Sequence, residues 1–203
     1  TKRVSVKRIV IFLMAVTVST ELVYNAKLIM TLDGGVEHFT QYAEDEMKLI
    51  GQLQQQDGGF YRINQTSTRD VDGNKLTANY NEGIAYNYKS ISGYTSDPDR
   101  NQLLFMKQMG YAICGDVMNV VNTSVLGADS ILGVKYVLSS YDIPGLKKLE
   151  NIEPGNGKSV YYNPYALPVA FTYESSNMLP DSEEKDEFLY QNQLFSYLSG
   201  QNV

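Results

Sequence analysis

The stretch Leu132-Gly-Val-Lys-Tyr-Val-Leu-Ser139 decides the fold prediction, because it contains a short apolar run of β-branched and aromatic residues. Residues 134–138 predict a strand that is buried on both faces. Further strand-like stretches follow at 147–152, 159–162 and 169–173, separated by turn signals rich in Pro, Gly and Asn. Short strands at this spacing are typical of an antiparallel meander.

Upstream of this run, residues 60–63 alternate in a way that predicts one more strand, and three helices are expected around the sheet. These helices are predicted at 39–56, 98–109 and 184–199. The expected fold class is therefore α+β: a mostly antiparallel sheet covered by helices, with an N-terminal apolar helix.

Local signals support the helix assignments. Asp97 is a good N-cap, with Pro98 at the first helical position. The acidic run at 181–187 opens the last helix, where carboxylates favour the positive end of the helix dipole, and it is interpreted as a cap rather than a catalytic pair. The acidic patch at 44–46 is interpreted as a solvated face of the first of the three helices.

Composition excludes several classes of function. The chain has 203 residues, with 17 Lys and Arg against 23 Asp and Glu, so its formal charge is −6. The acidic balance disfavours nucleic acid as a partner. A single cysteine, Cys114, excludes an intrachain disulfide, and a single histidine, His38, disfavours a zinc site or a catalytic triad. Both side chains are expected to be structural.

The N-terminus combines basic residues with an apolar run and leaves three interpretations open. A cluster formed by Lys2, Arg3, Lys7 and Arg8 precedes an apolar run at 9–18, and Glu21 interrupts the apolar character that follows. The segment could be a signal peptide, a buried element of a soluble core, or the end of a transmembrane helix with its basic end in the cytoplasm. The third interpretation divides the chain into a membrane segment, 1–32, and an extracytoplasmic domain, 33–203. Because the chain opens with Thr1 and the last helix stops near its end, the natural protein is expected to continue.

Two polar segments follow the predicted strand at 60–63. Residues 65–75 predict a surface loop, and the run at 70–74 lacks the spacing of a calcium-binding loop. Residues 76–96 are rich in Asn, Tyr, Ser and Gly. They could form a ligand surface of hydroxyls and rings, or a loop that satisfies its own backbone, which is the favoured interpretation.

Three stretches of the sequence, in this order, resemble one family. The first is Phe60-Tyr-Arg-Ile63 with the Asn- and Tyr-rich segment after it, and the second is Leu132-Gly-Val-Lys-Tyr-Val-Leu-Ser139. The third is Tyr162-Asn-Pro-Tyr-Ala-Leu-Pro168 followed by Phe188-Leu-Tyr-Gln-Asn-Gln193 and Gly200. Together they resemble the extracytoplasmic region of the bacterial YfhO-type membrane proteins. None of these stretches is a catalytic motif.

The resemblance implies a lobe of a multi-pass membrane protein that faces away from the cytoplasm. Such proteins are similar to glycosyltransferases that use polyprenyl-phosphate sugar donors, and in Gram-positive bacteria they are associated with glycosylation of teichoic acids, lipoteichoic acid in particular. Catalytic carboxylates generally come from membrane loops, so no catalytic residue, metal ligand or cofactor is assigned here. The expected partners are the remaining membrane portion of the same polypeptide and a glycopolymer acceptor. The alternative is a membrane-anchored module that binds carbohydrate or protein without catalysis.

A local ligand site is nevertheless conceivable in such a lobe. The candidate residues are Arg62, Tyr61, Tyr86, Asn87 and Tyr88, because rings can lie against sugars while a guanidinium forks onto phosphate. The alternative, which we favour at this point, is that Arg62 pairs with a carboxylate and the tyrosines pack. A soluble hydrolase using paired acids has little support in the sequence.

Overall fold

A computed structural model of the chain describes residues 2–32, 36–67, 81–113, 123–174, 180 and 186–201. Its elements in chain order are α1 (Lys2–Leu32), α2 (Val36–Gln56), β1 (Arg62–Gln65), α3 (Glu82–Ala85), α4 (Arg100–Gln108), α5 (Leu126–Ile131), β2 (Val134–Ser139), β3 (Lys147–Lys148), β4 (Ser159–Tyr162) and α6 (Glu187–Ser199). The chain divides into two compact units, Thr1–Gln41 and Tyr42–Val203.

The first unit contains α1, the N-terminal apolar helix that the sequence predicts. Its segment Val6–Met30, 25 residues long, is apolar enough to cross a membrane, and none of it is buried. At a rise of about 1.5 Å per residue the segment is about 37 Å long, whereas the hydrocarbon core of a bilayer is about 30 Å thick. Length and composition therefore suffice for a membrane span, and the exposure fits a lipid-facing helix better than a core helix.

The second unit is built on a four-stranded mixed sheet with the order β1-β2-β4-β3. β1 pairs with β2 in parallel, with Ile63 opposite Tyr136. β2 pairs with β4 and β4 with β3 in antiparallel fashion. The α+β class is confirmed, and two of the three strand pairings are antiparallel.

The predicted arrangement of strands differs from the structure in three respects. No strand forms at 169–173; Phe171 and Tyr173 are exposed there and outside any ladder. β1 joins β2 in parallel because the chain between them carries α3, α4 and α5, and parallel neighbours require a long crossover connection of this kind. The strand predicted at 147–152 shortens to the two residues of β3.

The strand that decided the fold prediction is buried on both faces, as its sequence indicates. One cluster includes Tyr136 and Leu138 from β2 together with Leu49, Ile50 and Leu53 from α2. A second cluster joins Val134 and Val137 to Tyr161 of β4. A third lies between α4, α5 and α6 and contains Met109, Ala128, Tyr190 and Leu194.

The helix starts differ from the predicted ones by a few residues. The N-cap of α4 is Asp99, whose carboxylate accepts hydrogen bonds from the amides of Asn101 and Gln102. Asp97 and Pro98 lie before the helix. At α6 the N-cap is Asp186, the sixth residue of the predicted acidic run, and it accepts from the amide of Leu189.

Several sequence predictions fall outside the described residues. These are the calcium-like turn at 70–74, residues 76–80, Cys114, the acidic residues 181–185 and the side chain of His38. The loop predicted at 65–75 is wrong at its start, because Gln65 ends β1 and is 1 % exposed.

Candidate functional site

A polar cleft of about 300 Å³ lies where α2 ends and β1 begins. The turn Asp57-Gly58-Gly59 ends the helix: the amide of Asp57 still donates to the Leu53 carbonyl, and the amide of Gly59 donates to Asp57 Oδ1 at 2.9 Å. A Cβ at Gly59 would lie 2.9 Å from that oxygen, so a larger residue here would displace the Asp57 carboxylate. The cleft is lined by Gln54, Asp57, Gly58, Gly59, Tyr61, Ile63, Asn87, Tyr88 and Lys89.

Asp57 anchors one wall of the cleft through its side chain. Its Oδ2 accepts hydrogen bonds from Lys135 Nζ at 2.5 Å and from the Tyr136 hydroxyl at 2.8 Å. Burial would raise the pKa of Asp57, but the hydrogen bonds from Lys135, the Gly59 amide and Tyr136 together lower it. The carboxylate is therefore ionised and held in place, which makes it a poor proton acceptor.

Two tyrosine rings form the floor of the cleft. Tyr61 donates its hydroxyl to the Asp57 carbonyl at 3.0 Å and packs edge-on against Tyr136, with ring centroids 4.9 Å apart. The Tyr88 hydroxyl accepts a hydrogen bond from Gln65 Nε2 at 2.6 Å. Burial raises the pKa of both phenols. Both rings are consequently fixed and neutral, and at 9 % and 8 % exposure they support the cleft from inside the core.

The rim of the cleft offers exposed polar groups. Asn87 has a positive φ of 56° and an exposed side chain, while its carbonyl accepts from Gln54 Nε2 at 2.9 Å. Lys89 is exposed, and its Nζ lies 4.5 Å from the centroid of the Phe60 ring, which is itself 67 % exposed. An amide, an ammonium group and an apolar ring thus border one opening.

This arrangement is suited to recognition rather than to bond cleavage. The exposed Phe60 ring, the Asn87 amide and the Lys89 ammonium can contact a sugar and an anionic group. The carboxylate in the wall is already engaged by three donors. Among the described residues, no group of three or more His, Cys, Asp or Glu could hold a metal ion.

The structure brings together part of the predicted tyrosine and arginine set. Tyr61, Asn87 and Tyr88 line the same cleft. Arg62 lines a separate depression of about 220 Å³, and its guanidinium donates to the Leu132 carbonyl at 2.5 Å rather than to a carboxylate. Tyr86 is partly buried against the core and lies beside Tyr42, with ring centroids 6.5 Å apart.

Sequence reasoning missed Asp57 and Lys89 as cleft residues. The sequence Asp57-Gly58-Gly59 is typical of a helix end, although an Asp-Gly-Gly turn next to a strand also fixes a carboxylate beside a sheet edge. Lys89 directly follows Tyr88 in the tyrosine-rich segment 76–96. Nothing in the sequence indicates that the Lys89 side chain reaches the Phe60 ring.

A buried ionic cluster lies next to the cleft and was also missed. Lys158 and Glu46 are 2 % and 0 % exposed, and Lys158 Nζ lies 2.6 Å from Glu46 Oε2. Gln65 Nε2 bridges Glu46 and Glu82, at 3.1 Å from each, and also donates to Tyr88, which connects the cluster to the cleft floor. The prediction that the patch at 44–46 is solvated is therefore wrong at Glu46. Its spacing of four residues from both Tyr42 and Ile50 places it on the apolar face of α2.

An apolar groove of about 590 Å³ lies elsewhere in the second unit, between α5, α6 and the segment 165–173. Its walls include Tyr165, Phe171, Tyr173 and Phe195. The residues predicted as the last strand therefore form one wall of the groove.

Comparison with known proteins identifies one family. The family model described as bacterial membrane protein YfhO matches residues 2–203, which is nearly the whole chain. No curated protein and no solved structure matches the chain. The family match agrees with the apolar helix α1 and with the resemblance that the sequence motifs indicate. The chain belongs to the YfhO family of bacterial membrane proteins.

Proposed function

We propose that this chain is the extracytoplasmic accessory domain of a multi-pass, glycosyltransferase-like membrane protein that takes part in glycosylation of teichoic acid, lipoteichoic acid in particular. In this role the domain positions the acceptor polymer, while residues in the membrane portion of the same polypeptide perform the sugar transfer. The family match supports the membrane context. The observation that carries the binding role is the cleft at the start of β1, which has an exposed ring, an amide and an ammonium at its rim, while its wall carboxylate, Asp57, is already engaged by three donors.

The proposed orientation follows from the charges that flank α1. Basic residues cluster at its N-terminal end, and Lys and Arg favour the cytoplasmic side of a membrane. With that end in the cytoplasm, a single span would place the second unit on the extracellular face.

The first prediction tests the cleft with soluble teichoic acid fragments. Lys89→Ala removes the exposed ammonium at the rim, and we expect binding of a glycerol-phosphate oligomer to weaken about tenfold, because one charge-assisted contact is lost. Binding is measured by calorimetry on the full chain in detergent at low ionic strength, where charge contacts are least screened.

The matched control for this experiment is Lys147→Ala. Lys147 is exposed on β3 and carries the same charge, but it does not line the cleft. Asn87→Gly provides a second cleft variant that keeps the positive φ while removing the amide. Equal affinities for the wild type, Lys89→Ala and Asn87→Gly would dismiss the cleft, and Arg62→Ala then tests the other member of the sequence-predicted set.

The second prediction concerns orientation. Ile84 in α3 is 83 % exposed, so a cysteine there should be accessible without disturbing the core. In a Cys114→Ser background, we expect Ile84→Cys to react with a membrane-impermeant maleimide in intact cells. Ser5→Cys, among the basic residues of α1, should react only after the cells are permeabilised. The opposite labelling pattern would place the domain in the cytoplasm.

The alternative function is a membrane-anchored extracellular module that binds carbohydrate or protein without catalysis. The apolar groove beside α6 favours the protein-binding version, because its walls expose aromatic side chains. Deletion of the gene separates the two functions: the accessory domain of a glycosyltransferase requires loss of sugar from the teichoic acid, whereas a pure binding module leaves the polymer's sugar content unchanged.

A further inference from the structure

The helix α1 carries a one-sided group of polar residues within its apolar span, which we call the α1 stripe: Thr17, Thr20, Glu21, Tyr24 and Asn25. At about 100° per residue these positions fall within an arc of about 140° around the helix axis. The opposite side carries Phe12, Ala15, Leu22 and Ala26, and Ser19 is the polar exception there. All of these side chains are exposed.

The position of the stripe along the helix places Glu21 deep in the span. Arg8 and Lys27 lie about 28 Å apart along the axis, which is close to the hydrocarbon thickness of about 30 Å, and long basic side chains at such positions reach out to the interface. If these two residues mark the boundaries, Glu21 lies about 5 Å from the midpoint between them. Glu21 therefore belongs to the hydrocarbon layer rather than to the interface.

Some polar side chains of the stripe form hydrogen bonds within the helix itself. Thr17 donates its hydroxyl to the Leu13 carbonyl at 2.9 Å, and Thr20 donates to the Val16 carbonyl at 2.8 Å. Such bonds let a hydroxyl face lipid at little cost. Glu21 has no ion pair within the described part of the chain. A carboxyl group in hydrocarbon is costly unless it faces protein and finds a partner.

We propose that α1 packs through the α1 stripe against another transmembrane helix, which presents a cationic or hydrogen-bond-donating side chain to Glu21. The proposal rests on α1 crossing the bilayer, as the proposed function requires. Charge complementarity selects this occupant, because hydrocarbon offers no donor to the carboxyl group. A second copy of α1 would bring two Glu21 side chains together, which like charge disfavours. The threonines of the stripe permit close approach of the two backbones, as small residues do at helix interfaces in membranes.

A matched pair of aromatic positions tests the proposal in the intact protein in its native membrane. Tyr24 lies on the stripe and Phe12 lies on the opposite side, both are 66 % exposed, and they stand at similar distances from the middle of the span. Each is replaced in turn by the photoreactive analogue p-benzoylphenylalanine, and the adducts are mapped by mass spectrometry. The expected result is a peptide adduct at position 24, on a transmembrane segment that contains a Lys, Arg, His or other donor, and a lipid adduct at position 12.

Three other outcomes would overturn the proposal and are distinguishable. Lipid adducts at both positions would show a membrane helix whose stripe has no partner, which leaves the proposed function intact. An adduct between two copies of α1 at position 24 would show self-association instead. Adducts at both positions only to water-soluble segments or proteins would mean that α1 is not in the bilayer, and the proposed function would fail with it.

A second measurement separates Glu21 from the rest of the stripe. Glu21→Gln keeps a hydrogen-bonding side chain, so the peptide adduct at position 24 should persist. Glu21→Leu removes it, so the adduct should be lost or redistributed to lipid. If the peptide adduct survives in Glu21→Leu, the contact does not depend on the carboxyl group, and the chemistry assigned to the partner is wrong.

Discussion

Replacing Lys158 with methionine should lower the free energy of unfolding by about 3–5 kcal/mol, because the substitution leaves Glu46 as an uncompensated buried charge. Lys158 Nζ lies 2.6 Å from Glu46 Oε2 and 2.7 Å from Gln65 Oε1. Neither Lys158 nor Glu46 has more than 2 % of its surface exposed, so water cannot replace the lost ammonium. The unfolding midpoint in urea, compared between wild type and variant, measures the effect.

The stability loss in Lys158→Met should depend on pH, because a second buried carboxyl group, Glu82, lies beside the pair. Burial raises the pKa of Glu82, attraction by Lys158 opposes that rise, and repulsion by Glu46 adds to it. Without Lys158, the attraction that opposes the effect of burial is lost, so the folded-state pKa of Glu82 should rise further above its unfolded value. The stability of the variant should then increase as the pH falls, so the deficit against wild type should shrink in acid.

Two further variants make the Lys158 experiment interpretable. Lys48→Met removes a salt bridge of nearly the same length, since Lys48 Nζ lies 2.7 Å from Glu153 Oε2, but both side chains are exposed. It should change stability very little, because solvent screens the pair. The double variant Glu46→Gln/Lys158→Met removes the stranded charge and should regain part of the loss. Equal effects of Lys158→Met and Lys48→Met would show that burial is not what makes the Lys158 pair strong.

The parts of the fold that sequence predicts well are those fixed by local patterns. The apolar run in β2 and the spacing of Leu49, Ile50 and Leu53 in α2 define which faces are buried, and the structure confirms both. The helix starts are predicted to within a few residues, because capping depends on a single side chain that is visible in the sequence. The start of α4 is displaced because both Asp97 and Asp99 could cap it, and Asp99 does.

The choice of strand neighbours could not be predicted in the same way. β1 meets β2 in parallel through a connection that carries three helices, and the residues of β1 contain no signal for which edge they join. At 169–173 the alternation of apolar and polar residues resembles that of a strand, but this segment pairs with none of the strands β1 to β4. Pairing is a tertiary property, so local propensity does not decide it.

In the candidate site, too, some features follow from local sequence and others only from the tertiary fold. The abundance of tyrosine in the sequence is enough to suggest the cleft tyrosines as candidates. Tyr61 and Arg62, however, are adjacent in sequence and face different depressions, because successive residues of a strand point to opposite sides. The Asp57 carboxylate is held in the wall of the cleft by hydrogen bonds from Lys135 and Tyr136, which lie far from it along the chain. Only the folded sheet brings these groups together.

A second large effect is expected at Asp129, a carboxyl group in α5 that is 1 % exposed. Its Oδ1 accepts from the Tyr111 hydroxyl at 2.6 Å and from Asn64 Nδ2 at 3.2 Å, and its Oδ2 accepts from Ser124 Oγ at 2.5 Å. No Lys, Arg or His within the described ranges forms an ion pair with it. Burial raises the pKa of Asp129 to about 6, although its three side-chain hydrogen bonds oppose the rise.

The direction of the pH dependence follows from this shift. The folded-state pKa of about 6 lies above the unfolded value of about 3.9, so the folded protein binds the proton more tightly. The stabilisation is fully present below about pH 4 and is lost as the pH rises through about 6. A shift of about two pKa units corresponds to about 3 kcal/mol at most.

Asp129→Asn should remove this dependence, because the amide cannot ionise while its Oδ1 can still accept from Tyr111 and Asn64. We expect the stability of Asp129→Asn relative to wild type to improve by about 2 kcal/mol between pH 4 and pH 7. Urea unfolding at a series of pH values measures the difference curve, in which the contributions of the other carboxyl groups cancel. Asp97→Asn, at an exposed position before α4, is the matched control for the loss of one carboxylate. Parallel curves for Asp129→Asn and wild type would mean that Asp129 titrates normally despite its burial, and that the hydrogen bonds from Tyr111, Ser124 and Asn64 offset the full cost of burying its charge.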